Sequence, residues 1–344
     1  MPRAERGKHY FLPDHQGFFA PAFSMRTAHM KETKKLGRGL EDFSHLFISS
    51  PSDAKKSLPE TNQDLLLQTK GVSSPSRSIC ILSHRALDER AFLVINLALE
   101  IARQGKKVLV LDGDFSIPRL TTLMEGFNAT PLAHFITRNE EAVGDVLETD
   151  GVKLISLDAD LSTLSALRQD ERRRLIFSFN KLEEESDLIL LVASPGFMHH
   201  MKTLIHAVDE AIVMTPHPVA EMINAYGLIK LIFQMQENVR VGIVSSSVAN
   251  ALQADMMFEK MKRVVEKFLH KPLYNYGFIP EDGEIVSALQ KRHPRSTQSS
   301  SKVFKSIIDI SRTLFEMEPR GDRVLGKDST TRGFGEKLFS QQHH

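Results

Sequence analysis

The chain has 344 residues, of which 41 % are hydrophobic and 25 % charged, enough to bury one large α/β domain or two small ones. A formal net charge of +1 argues against a general nucleic-acid-binding surface. Cys80 is the only cysteine, which excludes an intramolecular disulfide and suits a reducing cytoplasm.

Residues 1–75 are rich in Ser, Pro, Lys and His and show little sustained periodicity, so they are expected to be a mostly disordered arm without the apolar core of a signal peptide. One motif stands out near residues 31–47, "KETKKLGRGLEDFSHLF", where Leu40, Phe43 and Phe47 recur at helical spacing behind Lys34, Lys35 and Arg38. Met30 immediately precedes it and is an expected physiological start. From residue 76 the pattern becomes regular. Strands are expected over 78–83, 107–112, 152–157, 187–193, 210–215, 239–245 and 273–279, and helices over 87–103, 164–185, 197–207, 218–236, 251–269, 284–291 and 301–316. Cys80 falls inside the first strand, as a buried thiol. Runs such as "VLVLD" and "LILLV" are apolar on both faces, as strands of a parallel sheet covered by helices on both sides are. The expected fold over 76–316 is therefore a doubly wound, mostly parallel α/β sheet with helices on both faces. Residues 317–344 are polar and Gly-rich and are expected to be a flexible tail ending in Phe334, Leu338 and Phe339. No run of ~18 apolar residues is present to span a bilayer.

The first strand leads into "SHRALDERA", Ser83 to Ala91, and then a helix, the outline of a phosphate-binding unit. In a P-loop, glycines let successive backbone N–H groups curl around phosphate oxygens, a lysine reaches the β/γ-phosphates and a hydroxyl holds Mg²⁺. This turn has no glycine. Asp88 and Glu89 instead put carboxylates at the helix N-terminus, each favourable to the helix dipole by roughly 0.3–1 kcal/mol and repulsive to a triphosphate.

The segment "FLVINLALEIARQGKKVLVLDGD" resembles the first helix and second strand of the MinD/ParA deviant-Walker ATPases, with Asn96 in that family's "NLA" and Asp112 and Asp114 in its "DxD". Counting back from Asn96 sets "RALDERA" on K-G-G-x-G-K-[ST]: Arg85 and Arg90 stand at the two lysine positions, Ala86, Leu87 and Glu89 at glycines, and Ala91 at the Mg²⁺-binding hydroxyl. "LRQDERRRLIFSFNKLEEESDLILLVASPGF" is similar to the helix and Walker B strand, but Val192 replaces the strand's usual Asp. "VDEAIVMTPHPVAEMINAYGLIKLI" and "YGFIPEDGEIVSALQKRHP" look most like the flagellar-number-regulating, MinD-like branch. The resemblance covers about 240 of the 344 residues. It implies a P-loop-NTPase-like fold of MinD/ParA type with a degenerate nucleotide site at Arg85, Arg90, Asp112, Asp114 and Val192.

That resemblance, with the changed loop, implies a non-enzymatic regulator or scaffold, a pseudo-ATPase with no catalytic residue and no cofactor, acting in cell positioning or flagellar regulation. The alternative is an ATP-dependent switch of the same fold that uses Arg85 or Arg90 on phosphate and Asp112/Asp114 on Mg²⁺. "KKLGRGLEDF" resembles the opening of ParB-type partners of ParA ATPases, which implies a partner-binding arm made by Lys34, Lys35, Arg38, Leu40, Phe43 and Phe47. Protein partners of the kind implied are an active MinD/ParA-like ATPase, a flagellar GTPase, or a second copy in a homodimer. The tail loosely resembles the short basic-apolar helix with which MinD proteins touch membranes, so Phe334, Leu338 and Phe339 are expected to make weak membrane or partner contact, at the inner face of the membrane or a pole. Arg168, Arg172, Arg173 and Arg174 alternate with Asp170 and Glu171, a self-paired helix face ahead of a DNA site. The 14 histidines show no metal-ligand spacing, so no metal is expected.

Overall fold

The computed structural model describes residues 76–84, 88–113, 120, 129–138, 140–157, 167–193, 198–217, 219–290, 301–317 and 333–339. The arm motif at 31–47, Arg85 and Asp114 lie outside these residues. In chain order the elements are β1 (Arg77–Ser83), α1 (Asp88–Arg103), β2 (Val108–Gly113), β3 (Thr130–Pro131), α2 (Leu132–Thr137), a 3₁₀ turn (Glu140–Val143), β4 (Glu148–Thr149) and β5 (Val152–Ser156). They continue with α3 (Gln169–Glu184), β6 (Leu188–Ala193), α4 (Met198–Ala207), β7 (Glu210–Pro216), α5 (Val219–Met235), β8 (Arg240–Val248), α6 (Ala251–Leu269), β9 (Tyr274–Pro280), α7 (Gly283–Gln290), α8 (Lys302–Glu316) and α9 (Phe334–Phe339).

The strands form one sheet in the order β3-β5-β2-β6-β1-β7-β8-β9, parallel at every step, with β4 antiparallel to β5 at its edge. β1, β2, β6 and β7 are buried along their whole length. Alternation divides their side chains between two cores. Ile79, Ile81, Val108, Val110, Leu188 and Leu190 meet α1, α7 and α8 on one face. Cys80, Leu82, Leu109, Leu111, Ile189 and Leu191 meet α2 to α6 and α9 on the other. Burial pushes the Cys80 thiol far up from its ordinary pKa, with the Arg90 charge opposing weakly, so it is an inert core group.

The seven expected strands appear as β1, β2 and β5–β9, and the doubly wound reading of the sheet holds. The small elements between β2 and β5 were not expected. They are too short to display a period, yet Asp150 (φ 52°) and Gly151 (φ 80°) make the two-residue turn that joins β4 to β5.

The N-terminal edge of the sheet is closed by a buried polar cluster. Arg77 holds Glu210 through two nitrogens at 2.7 and 2.8 Å and also donates to the Leu314 carbonyl, tying β1 and β7 to α8. Tyr276 on β9 donates to Glu210 at 2.5 Å. Its ring lies against Gly242 on β8, where a Cβ would come within 2.3 Å of a ring carbon.

Candidate functional site

In a doubly wound sheet, ligands meet the carboxyl ends of the strands. Here β1, β2 and β6 end side by side, with Ile81 and Asp112 flanking Val192 in register. Val192 is buried and brings no carboxylate to this edge. Gly113 backs so closely onto β6 that a Cβ would lie 2.6 Å from the Val192 carbonyl oxygen. The Asp112 carboxylate is buried and accepts from the Leu120 backbone N–H at 3.1 Å, a connection across the chain segment that leaves β2.

Arg90, in the first turn of α1, dominates the site. It is only 1 % exposed and is the largest fully buried side chain among the described residues. Its guanidinium points back to the strand ends, donating to the Ala193 carbonyl at 2.6 Å and lying 3.4 Å from Ser83 Oγ. Ala91, next to it, is buried and has no hydroxyl to offer a cation. Deeper in α1, Asn96 donates its amide to the Phe92 carbonyl at 2.8 Å.

The first turn of α1 is also tied sideways. Glu89 accepts from Ser247 Oγ at 3.1 and 3.2 Å, and Ser247 sits at φ 53° where β8 shifts register. His84, just after β1, pairs with Glu221 on α5 at 2.5 Å. Sequence reading placed Glu89 at the helix N-terminus as a dipole partner. It did not find Ser247, His84 or Glu221, because these contacts join segments more than a hundred residues apart.

Arg90, Asp112 and Val192 lie at the neighbouring ends of β2 and β6, while Arg85 and Asp114 fall outside the described residues. The structure corrects the expectation for the tail. Phe334, Leu338 and Phe339 are all buried, as α9 packs against α3 and α4. Phe339 meets Phe179 edge-on at 4.9 Å, and Phe334 N–H donates to Glu183 Oε2 at 2.7 Å. Gly335 permits the approach, since a Cβ there would lie 2.7 Å from Asn180 Oδ1 and 2.8 Å from the Ile176 carbonyl oxygen. Three apolar side chains in a short polar tail lose their contact with water in this groove, so in this structure they face α3 and α4 and not the surroundings. Burial raises the Glu183 pKa, with the Phe334 N–H and Lys337 opposing.

The basic stretch behaves as the sequence suggested: Arg168 pairs with Glu171 at 3.1 Å and Arg174 with Asp170 at 2.9 Å. Among the described residues no cluster of His, Cys, Asp or Glu has the makings of a metal site, and no helix is long and apolar enough to cross a membrane.

No family profile matches the chain. It is 23 % identical over 249 residues to "Antiactivator FleN" of Pseudomonas aeruginosa, covering 70 % of this chain and 88 % of that protein. The crystal structure of a ParA family ATPase from Chlorobium tepidum superposes with a TM-score of 0.55 at 17 % identity, covering 70 % of this chain and all of the other. MinD from the MinC:MinD cell division complex of Aquifex aeolicus gives 0.54 at 16 % identity, covering 71 % of this chain and 97 % of the other. The fold is that of MinD and ParA.

Proposed function

We propose that this chain, which belongs to the MinD/ParA family, is a non-enzymatic regulator that works through protein partners and has given up the nucleotide switch of its relatives. The observation that carries this reading is the inward turn of Arg90. A cation at the position of the second P-loop lysine should face the phosphates. Arg90 instead directs Nη1 to the Ala193 carbonyl, with Ser83 Oγ 3.4 Å away, beneath the surface. Its guanidinium therefore acts as a tethered internal plug at the strand ends.

The residues present fit Mg-ATP poorly. The turn from Ser83 to Arg90 has no glycine with which to build a nest of N–H groups. Ala91 and Val192 supply neither a hydroxyl nor a carboxylate for Mg²⁺, and Asp112 is engaged by a backbone N–H. Glu89 adds negative charge near the place a triphosphate would need.

A docking role suits a chain similar to a protein named an antiactivator, and to a MinD whose structure was solved with MinC bound. We extend both to this chain as regulation by binding, in flagellar or other polar placement. The basic-apolar arm at Lys34, Lys35, Arg38, Leu40, Phe43 and Phe47 is a contact to an active MinD/ParA-like ATPase or a flagellar GTPase. Changing Lys34, Lys35 and Arg38 to Ala should weaken such binding.

Thermal melting with and without millimolar Mg-ATP tests the central claim. A ligand at 100-fold over its dissociation constant adds about 2.7 kcal/mol, several degrees for a domain of this size. We expect no shift. A clear shift that disappears in Arg90→Ala would overturn the reading and restore an ATP-dependent switch.

A further inference from the structure

We propose that α6 carries a docking ridge for an acidic amphipathic helix of a protein partner. The proposal rests on the reading of this chain as a docking platform, but it does not depend on whether the strand-end site holds nucleotide. α6 is capped by Asn250, whose side chain accepts from the Gln253 N–H, and it seats Ala254, Met257, Phe258, Met261 and Val265 in the core against β8 and β9. That buried set satisfies the helix. A second apolar row remains outside. Leu252 is 70 % exposed, Met256 54 %, Val264 37 % and Phe268 61 %, half of the large apolar side chains exposed among the described residues.

These four share one i,i+4 row, with Lys260 at its middle. Such a row is the ridge that inserts between the ridges of a crossing helix in the commonest helix–helix packing. At the N-terminal end the ridge borders a cleft of about 350 Å³ between α6 and the end of β7, with His217, Leu252 and Met256 in its wall, large enough for an apolar anchor side chain.

Charge selects the occupant. Lys260, Arg263 and Lys267 stand on or beside the ridge, exposed, and form no ion pair among the described residues although Glu259 and Glu266 share their helix. Lys267 Nζ lies 5.4 Å from the Phe268 ring centroid, so charge and apolar surface form one patch. A second copy crossing at the ridge centre would set Lys260 against Lys260. A membrane is a poor match as well: the row winds around the helix instead of lying in one plane, and Asp255, Glu259 and Glu266 on the other flank would meet anionic headgroups. An acidic helix with apolar residues at matching spacing satisfies both the ridge and its cations.

The test uses the full chain and a labelled peptide of about 18 residues, several helical turns with which to cross the ridge, with Leu at every fourth position and Glu flanking them. A second peptide keeps the Leu positions and replaces Glu with Lys. The acidic peptide should bind at least about tenfold more tightly than the basic one, weakening with salt. Met256→Glu and Lys260→Glu, both at exposed positions that leave the fold intact, should each cost about tenfold or more in affinity. Equal affinity for the two peptides, no binding of either, or indifference to Met256→Glu would overturn the proposal. So would self-association, or binding to phosphatidylglycerol vesicles, that Met256→Glu abolishes without any effect on peptide binding, since the ridge would then serve a second copy or a lipid surface. None of these results alters the outcome of melting with Mg-ATP, so the two readings fail separately.

Discussion

Arg90 Nη1 lies 2.6 Å from the Ala193 carbonyl oxygen, so the first turn of the helix after β1 is fastened to the end of the neighbouring strand β6 by the protein's own side chain. The link is a hydrogen bond from the chain's own guanidinium and needs no ligand to form.

Arg90→Ala should therefore cost stability even without any ligand. It removes a fully buried side chain and leaves the Ala193 carbonyl and Ser83 without this donor, a loss of about 2–5 kcal/mol. Arg90→Lys keeps a cation but has a shorter reach, and should fall between the two. Urea unfolding of the three proteins decides the matter. A change in Arg90→Ala below about 0.5 kcal/mol would mean that the guanidinium does not hold the site together.

Ser247 provides a second check on how the α1 turn is fastened. Its φ of 53° favours glycine, while its hydroxyl donates to Glu89. Ser247→Gly loses the hydrogen bond but relieves the backbone; Ser247→Ala loses the bond and keeps the strain. The alanine variant should thus be the less stable of the two by about 1 kcal/mol. The reverse order in thermal or urea unfolding would show that the backbone at residue 247 carries no strain that glycine relieves.

Much of the sheet was legible because its central strands are short runs apolar on both faces, a pattern that neither an amphipathic helix nor a half-exposed strand produces. The Asp150–Gly151 turn leaves a two-residue hairpin signal in "TDGV", but it was not expected, because the strands it joins are too short to draw attention to it. Arg90 could be assigned to a position by counting from Asn96, yet its direction could not. Only the fold brings the Ala193 carbonyl, 103 residues away, to the tip of its side chain. The same limit hid the seat of the tail. Phe334, Leu338 and Phe339 read as an apolar cluster without a partner until α3 presents Phe179, Asn180 and Glu183 to them. The ridge on α6 left a trace in sequence, since Leu252, Met256, Val264 and Phe268 are more apolar positions than one buried face requires.

The C-terminal helix should contribute to stability as part of the core. Phe339→Ala empties a site against Phe179 and should cost about 3 kcal/mol or more. Glu183 should give this contact a pH dependence. Its folded pKa is raised above its ordinary value, chiefly by burial, so its ionised form opposes folding at neutral pH. That opposition is present above the folded pKa and fades as pH falls through it toward the unfolded value. Glu183→Gln should hence be favoured over the parent at pH 7–8, with the advantage shrinking on acidification, when urea unfolding of both is followed from about pH 8 to pH 4. An advantage that grows as pH falls would mean that the Phe334 N–H and Lys337 outweigh burial.

At the opposite edge of the sheet, Gly242 and Tyr276 should behave as one unit. A Cβ at 242 would meet the Tyr276 ring at 2.3 Å, and the ring cannot retreat without losing the bond from its hydroxyl to Glu210. Gly242→Ala should accordingly cost about 2–3 kcal/mol through overpacking. Tyr276→Phe keeps the ring and removes only the hydroxyl, leaving a Glu210 oxygen with one donor fewer, for a loss of about 1–3 kcal/mol. Tyr276→Ala removes the ring but leaves the Tyr274 carbonyl oxygen 2.9 Å from the same Cβ, so Gly242→Ala in that background should cost less than it does alone but still cost something. The double-mutant cycle should show a coupling of about 1–3 kcal/mol. Additive losses would mean that the clash at residue 242 is absorbed by the β8 backbone and that the ring does not require glycine there.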